Sequence, residues 1–145
     1  MGRTCYPAHP EVPISKAVRA GDFVFTSAYG PWLFDPKTVT FDAAGAILDD
    51  GTGKADMPFS TQVHATFGYI QEALASAGCG LEDVVDCQVW LAEAKDFVEF
   101  NEIYRRYFSQ NPPTRSVFPT EFMFKCKIEM KVIAYRSQRA DEFRR

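Results

Sequence analysis

The chain has 145 residues, of which 46% are hydrophobic and 24% charged, and its formal net charge is −3 at pH 7. This balance is typical of one globular domain and excludes a disordered chain. Nucleic acid would require a basic stripe, and the arginines of the segment 136–145 are interleaved with Asp141 and Glu142. No segment has the length and apolarity of a membrane span or a signal peptide. We therefore expect a cytoplasmic protein without nucleic-acid or membrane partners.

Cysteine and histidine positions argue against a metal site. The cysteines, Cys5, Cys79, Cys87 and Cys126, lack the C-x-x-C spacing of zinc and redox motifs. The two histidines of the chain, His9 and His64, do not form a cluster with the cysteines in sequence. We expect no metal, and reduced, mostly buried thiols.

The first half of the chain predicts strands followed by a helix. Residues 22–28 are rich in β-formers and apolar on both faces, which favours a strand. A polar, glycine-rich stretch, 30–58, follows, with short strands possible at 38–41 and 46–48. The segment 59–77 has the spacing of an amphipathic helix, ended by Gly78. Its apolar stripe consists of Phe59, Val63, Phe67, Ile70, Leu74 and Ala77.

The second half predicts a strand, a helix and two further strands. The segment 84–91 alternates, with Val85, Cys87, Val89 and Leu91 on one face and Val84, Asp86, Gln88 and Trp90 on the other. A helix begins at Asp96, which is spaced from Glu99 as in a capping box, and ends at the prolines 112–113. Its predicted buried stripe is Phe97, Phe100, Tyr104, Tyr107 and Phe108. Strands are predicted at 115–118 and 126–135, the latter with Cys126, Ile128, Met130 and Val132 facing the core.

This order of elements predicts an α+β domain with both helices on one face of a mixed sheet. The other face would carry Val84, Gln88 and Trp90 beside the charged Glu129. That mixture is too apolar for free solvent and too polar for a core. We therefore expect a homo-oligomer with a wet pocket in the subunit interface.

Five motifs, in order along the chain, resemble the RidA family, also called YjgF or the liver perchloric-acid-soluble protein family. They are Gly21–Ser27, Ala77–Val85, Asp96–Phe108, Pro113–Ser116 and Lys127–Met130. The resemblance implies a single domain spanning 1–145, with a core at about 13–136, a tail at 137–145, and a chorismate-mutase-like fold. It also implies a homotrimer whose sheets form a central barrel, with three sites at the subunit clefts. The implied activity is hydrolysis of enamine and imine intermediates to a 2-oxo acid and ammonia, without a cofactor.

The resemblance assigns catalytic roles to three residues. Arg115 matches the arginine that anchors the substrate, and a guanidinium can hold a carboxylate through two parallel hydrogen bonds. Glu129 matches the glutamate that handles water and protons. Ser27 lies at the position of the active-site serine. From the residues alone, each has a structural alternative: an arginine paired with a carboxylate, an ion pair of Glu129 with Lys127 or Lys131, and a strand-end hydroxyl bonded to backbone.

Substrate-binding positions are the ones that depart from the family pattern. Ile14 stands where many members have a tyrosine that closes over the substrate, and Ala28, followed by Tyr29, stands where glycine is usual. Val117 replaces a frequent cysteine, although its main-chain groups are expected to face the pocket, and Lys131 replaces a frequent second glutamate. Trp90 completes the expected substrate-binding set, and Asn101 is interpreted as structural. The stretch 30–58 is also longer than is usual for the family, and loops near sites often determine specificity.

Three functions are compatible with these residues. The first is a hydrolytic deaminase of the 2-iminobutanoate or 2-iminopropanoate type, with a bulkier or aminomuconate-like imine as a variant substrate. The second is a non-catalytic binder or sensor of small carboxylates. The third, ribonuclease, is an older label of the family, but an acidic chain with two isolated histidines argues against it.

Overall fold

The computed structural model describes residues 2–8, 10, 12–33, 40–44, 56–123 and 125–139, and the backbone of 47–49. They form eight strands and two α-helices, with 3₁₀ turns at Leu81–Asp83 and Ala94–Asp96. The strands are β1 (Arg3–Pro7), β2 (Ser15–Ala20), β3 (Phe23–Thr26), β4 (Thr40–Phe41), β5 (Ile47–Asp49), β6 (Val84–Leu91), β7 (Thr114–Pro119) and β8 (Ile128–Tyr135). The helices are α1 (Phe59–Ser76) and α2 (Phe97–Tyr107).

Six strands make one mixed sheet in the order β1-β2-β3-β8-β6-β7. All neighbours are antiparallel except β6 and β7, which are parallel because α2 lies between them in the chain. Helix α1 packs on β2, β3 and β8 and against α2. The rings of Phe67 and Tyr107 stack between the two helices with centroids 3.8 Å apart. The predicted mixed sheet with two helices is confirmed.

The N-terminal hairpin β1–β2 was not predicted. In β2 the inward-facing residues are Ala17 and Arg19, a small residue and a charged one, so the strand lacks a hydrophobic alternation. Arg19 is nevertheless buried, because its guanidinium donates to the carbonyls of Ala77 at 2.7 Å and Arg136 at 3.2 Å. Gly21, with φ +60°, makes the tight turn into β3, a conformation that other residues rarely adopt.

Helix α1 forms where the apolar spacing predicts it, and all six stripe residues are buried. It ends one residue early, at Ser76. Gly78 then has φ +76° and Cys79 N–H donates to the carbonyl of Leu74 at 2.9 Å, which closes the last turn. The strand pair 38–41 and 46–48 corresponds to β4 and β5, although residues 38, 39 and 46 lie outside the described residues.

Two of the predicted burial patterns are wrong at their first residue. The pairing of β6 with β8 is irregular between Val84 and Asp86, so Val84 is buried and Val85 is 43% exposed, the reverse of the predicted alternation. In α2, Phe97 is 40% exposed, whereas Ile103, which was left out of the predicted stripe, is buried. Asp96 precedes the helix without a side-chain cap hydrogen bond, so the predicted capping box does not form.

The face of the sheet opposite the helices carries exposed apolar side chains and is uncovered in the single chain. Phe23, Phe25, Phe118 and Tyr135 are all between 39% and 47% exposed on their strands. Strand register places Glu129 opposite Trp90 and Lys131 opposite Gln88 on this open face. The predicted mixture of apolar and charged groups is therefore present, without Val84. Assembly through this face stays a prediction.

Candidate functional site

Arg115 lies on the outermost strand, β7, and faces the helices. It pairs in register with Cys87 of β6, whose side chain is fully buried beneath them. The guanidinium carbon lies 4.7 Å from the ring centroid of Tyr104, 5.6 Å from that of Phe100 and 5.8 Å from that of Phe97. None of the described carboxylates pairs with this arginine, so the structural alternative, an ion pair, is not observed within one chain. The three rings orient the guanidinium, and none of the described carboxylates occupies its N–H groups.

Glu129 lies on β8, on the open face. It is partly buried, and this burial raises the pKa of its carboxyl above the ordinary value. Neither Lys127 nor Lys131 forms an ion pair with it in the part of the chain that the structure describes. A partly buried carboxyl with a raised pKa and no cation beside it is suited to proton transfer.

Arg115 and Glu129 do not meet within one chain. Their side chains lie on opposite faces of the sheet, as the registers with Cys87 and Trp90 show. Their strands are also separated by β6, which corresponds to two interstrand spacings or about 10 Å. One chain therefore supplies two separate halves of the site that the sequence predicts.

Three other predicted residues, Ile14, Ala28 and Tyr29, line one cavity of about 650 Å³. We call it the 28–33 cavity, after the segment that forms one of its walls. Its further described lining residues are Pro7, Ala8, Val12, Lys16, Gly30, Pro31, Trp32, Leu33, Glu72 and Cys126. Trp32 and Leu33 lie three and four residues after Tyr29, and Cys126 and Glu72 come from distant parts of the chain. The sequence pointed to Trp32 and Leu33 only as part of the long stretch 30–58, in which a role in specificity and simple packing were equally open, and it gave no sign of Glu72 or Cys126.

Ser27 forms the hydrogen bond of its structural alternative. Its hydroxyl donates to the carbonyl of Ser15 at 2.6 Å, which joins the end of β3 to the start of β2. Ser27, Ile14 and Lys131 also line a second, smaller cavity of about 270 Å³. The hydroxyl oxygen can still accept a hydrogen bond, but its proton is already used.

The remaining predicted positions divide between the two halves. Val117 follows Arg115 by two residues on β7 and packs against the core on the same face. Trp90 lies between Glu129 of β8 and Phe118 of β7 on the open face. Asn101 lies in α2. Since β7 is an edge strand, one row of its main-chain groups is not used by β6.

Cys126 is the cysteine nearest to Glu129, and it is not a nucleophile. Burial, and secondly the Glu129 charge, raise the pKa of its thiol to about 12. The thiol therefore stays protonated and contributes an apolar wall to the 28–33 cavity.

The described residues contain no group of three or more histidine, cysteine, aspartate or glutamate side chains that could hold a metal ion. Within the same residues, neither helix is both long and apolar enough to cross a bilayer. His64, the histidine that is described, accepts or donates a hydrogen bond with the Tyr107 hydroxyl at 2.6 Å.

Known proteins resemble this chain over most of its length. The family model described as Endoribonuclease L-PSP matches residues 7–136. A RutC family protein of Saccharolobus solfataricus is 35% identical over 129 residues, which cover 88% of this chain and 90% of the relative. A RutC family protein of Pyrococcus horikoshii is 33% identical over 128 residues, with 88% and 90% covered.

Solved structures share the fold. RidA from an Antarctic Psychrobacter species has a TM-score of 0.67 and 26% identity, over 90% of this chain and 94% of that one. Yeast Mmf1 has a TM-score of 0.72 and 24% identity, over 94% of this chain and 100% of that one, which shows the fold alone.

Proposed function

The chain belongs to the endoribonuclease L-PSP family, with the fold of RidA and YjgF proteins, and from this premise we propose that it is a hydrolytic deaminase. Membership supports a general role in enamine and imine deamination or in binding small ligands. The finer proposal is that the protein converts an enamine or imine of an amino acid into a 2-oxo acid and ammonia. The observation that carries it is Arg115, a guanidinium oriented by three rings without a carboxylate of its own.

The two halves of the site lead us to propose a homotrimer. The open face, with its exposed phenylalanines, is a suitable contact surface for further copies. In such an assembly Arg115 of one copy and Glu129 of its neighbour would share a cleft, which one chain alone cannot form. Three sheets would then line a central barrel, with three sites at the clefts.

The proposed reaction needs one anchor and one proton carrier. Arg115 binds the substrate carboxylate through two parallel N–H···O bonds. The protonated Glu129 donates its proton to the enamine carbon, which yields the iminium ion. As a carboxylate it then removes a proton from water while the water oxygen attacks the iminium carbon, which gives a carbinolamine. Glu129 passes that proton to the nitrogen; ammonia then leaves as the C–N bond breaks, and the Glu129 carboxylate takes the hydroxyl proton as the carbonyl of the 2-oxo acid forms.

The test is ammonia release from an imino acid that an amino-acid oxidase generates in the same solution. Arg115→Ala is expected to abolish the enzyme-dependent release while the oligomer stays intact in light scattering. Arg105→Ala is the matched control, because Arg105 is exposed on α2 away from the site. Release by Arg115→Ala at the wild-type rate would contradict the proposal.

A second candidate, a non-catalytic carboxylate binder, is favoured by two observations. The Ser27 proton is already donated to Ser15, and the position of the family's closing tyrosine is Ile14. Binding without turnover would appear as thermal stabilisation by 2-oxo acids, together with no ammonia release from any imine tested.

We propose the cytoplasm as the location and no nucleic-acid partner. Ribonuclease chemistry usually needs a histidine or a metal in a basic groove. His64 is instead held by Tyr107, and the chain is acidic. Cell fractionation and incubation of a nuclease-free preparation with RNA test these two proposals.

A further inference from the structure

The 28–33 cavity has mainly apolar walls. Ile14, Trp32 and Leu33 contribute most of the large side chains, and Cys126 contributes a protonated thiol. Ile14 and Leu33 are 49% and 50% exposed, although both are large apolar side chains. Exposed apolar groups around a concave space are typical of a binding site rather than of a core.

The charged groups of the cavity and its tyrosine hydroxyl have partners within the chain. The Tyr29 hydroxyl donates to the carbonyl of Lys16 at 3.2 Å. The Lys16 ammonium lies 3.9 Å from the Glu72 carboxylate, so the two charges offset each other. Burial, with the Glu72 charge second, raises the pKa of Tyr29 to about 12, so its hydroxyl stays neutral. The cavity therefore suits an uncharged, apolar group.

Gly30 places this cavity beside Glu129. A Cβ atom on Gly30 would lie 3.3 Å from the carbonyl oxygen of Ile128, 3.7 Å from Cγ of Glu129 and 3.9 Å from Sγ of Cys126. Only a residue without a side chain fits here without displacing the Ile128 backbone. Gly30 thus lies against Glu129 and lines the cavity at the same time, so a substrate whose reacting carbon lies at Glu129 has its side chain next to the cavity.

We infer that the 28–33 cavity binds the side chain of the substrate, and that the preferred imines carry an aromatic or branched apolar side chain. This inference rests on the proposed function, since it names the substrate class of the same site. A dry cavity of about 150 Å³ holds one benzene ring, so about 650 Å³ accommodates a phenyl group with room to spare. Full burial of a phenylalanine-sized side chain corresponds to about 10- to 100-fold, so we expect a gain of this size in kcat/KM for a phenyl side chain over a methyl group.

The experiment compares the imines of phenylalanine and alanine as substrates, each generated by an amino-acid oxidase. The wild type is expected to prefer the phenylalanine imine by about tenfold or more. Leu33→Ala and Ile14→Ala remove half-exposed walls and should each lower that preference by about fivefold. Val98→Ala is the matched control, because Val98 is 68% exposed on α2, outside the cavity, and should keep the wild-type preference.

Calorimetry with the unreactive 2-oxo acids phenylpyruvate and pyruvate separates this inference from the proposed function. In one outcome, phenylpyruvate binds more tightly than pyruvate, Leu33→Ala weakens this binding, and no imine is hydrolysed. That result would support the cavity inference and overturn the proposed deaminase activity. In the other outcome, the alanine imine is hydrolysed at least as efficiently as the phenylalanine imine, and Leu33→Ala and Ile14→Ala do not change the ratio of the two efficiencies. That result would overturn the cavity inference and leave the proposed deaminase activity in place.

Discussion

Subunit complementation tests whether the site is built from two chains. Arg115→Ala leaves a chain with only the Glu129 half, and Glu129→Gln leaves a chain with only the Arg115 half. Each variant alone should lose about 100-fold or more in rate, because one removes the anchor and the other removes the proton carrier. In randomly mixed trimers, a cleft is complete when an intact arginine adjoins an intact glutamate. This holds for about one cleft in four, so the mixture should regain about a quarter of wild-type activity.

The assay is ammonia release from the whole population of trimers that forms when the two variants are expressed together in equal amounts. A second mixture combines the wild type with a chain that carries both Arg115→Ala and Glu129→Gln. It distinguishes a site shared between two chains from a site within one chain. About a quarter of the clefts remain active if each needs two chains, and about half if one chain suffices. The opposite faces of Arg115 and Glu129 predict the first value. A mixture of the single variants as inactive as either variant alone would refute the reasoning.

Three further predictions concern single positions. Burial raises the pKa of the Glu129 carboxyl, so the folded wild type holds this proton more tightly than the unfolded chain does. The wild type therefore loses stability as the pH rises through and above 4.5, the ordinary pKa of a glutamate carboxyl. Glu129→Gln, which cannot ionise, should therefore match the wild type in urea unfolding at about pH 4 and exceed it at about pH 8. Arg19→Met leaves the buried carbonyls of Ala77 and Arg136 without their donor and should lower the free energy of unfolding by about 3 kcal/mol. Tyr104→Phe keeps the ring against Arg115 and should keep the wild-type KM, whereas Tyr104→Leu should raise KM about fivefold.

Each of these predictions has a control or a contrary result. A stability difference between Glu129→Gln and the wild type that does not change with pH would show that the carboxyl is not desolvated. Arg3→Met is the control for Arg19, since Arg3 is exposed on β1 and should change stability by less than about 0.5 kcal/mol. The Tyr104 hydroxyl is buried beside the Cys87 thiol, which is a weak hydrogen-bond partner. Equal KM increases in Tyr104→Phe and Tyr104→Leu would mean that the hydroxyl rather than the ring orients Arg115.

Hydrophobic spacing predicted the elements that bury regular apolar stripes. Helix α1 and strand β8 each bury a regular set of apolar residues, and both formed close to the predicted bounds, with α1 ending one residue early and β8 beginning two residues late, at Ile128. Strand β2 was missed because its buried face consists of Ala17 and Arg19, and the burial of Arg19 depends on carbonyls 58 and 117 residues away. Val85 was placed on the wrong face because an irregular pair in the ladder changes the period of two, and a single strand gives no sign of its partner's register.

The candidate site was predictable to a different extent in each part. Arg115, Glu129 and Ser27 were identified through motifs, because a resemblance transfers chemistry residue by residue. Their distribution over two faces depends on strand order, which local spacing does not contain. The 28–33 cavity depends on residues as distant as Leu33, Glu72 and Cys126, so only the folded chain brings its walls together.

Arg19 also has a consequence for the order of folding events. Its guanidinium reaches the carbonyl that ends α1, 58 residues along the chain, and the carbonyl that follows β8, 117 residues along. Loops of this length close slowly, and the desolvation of the guanidinium is offset only when both acceptors are in place. The N-terminal hairpin is therefore expected to dock late, after the helix and the last strand have met. In amide hydrogen exchange, β1 and β2 should open together and before β6 and β8, so the first residues of the chain would be the last to fold.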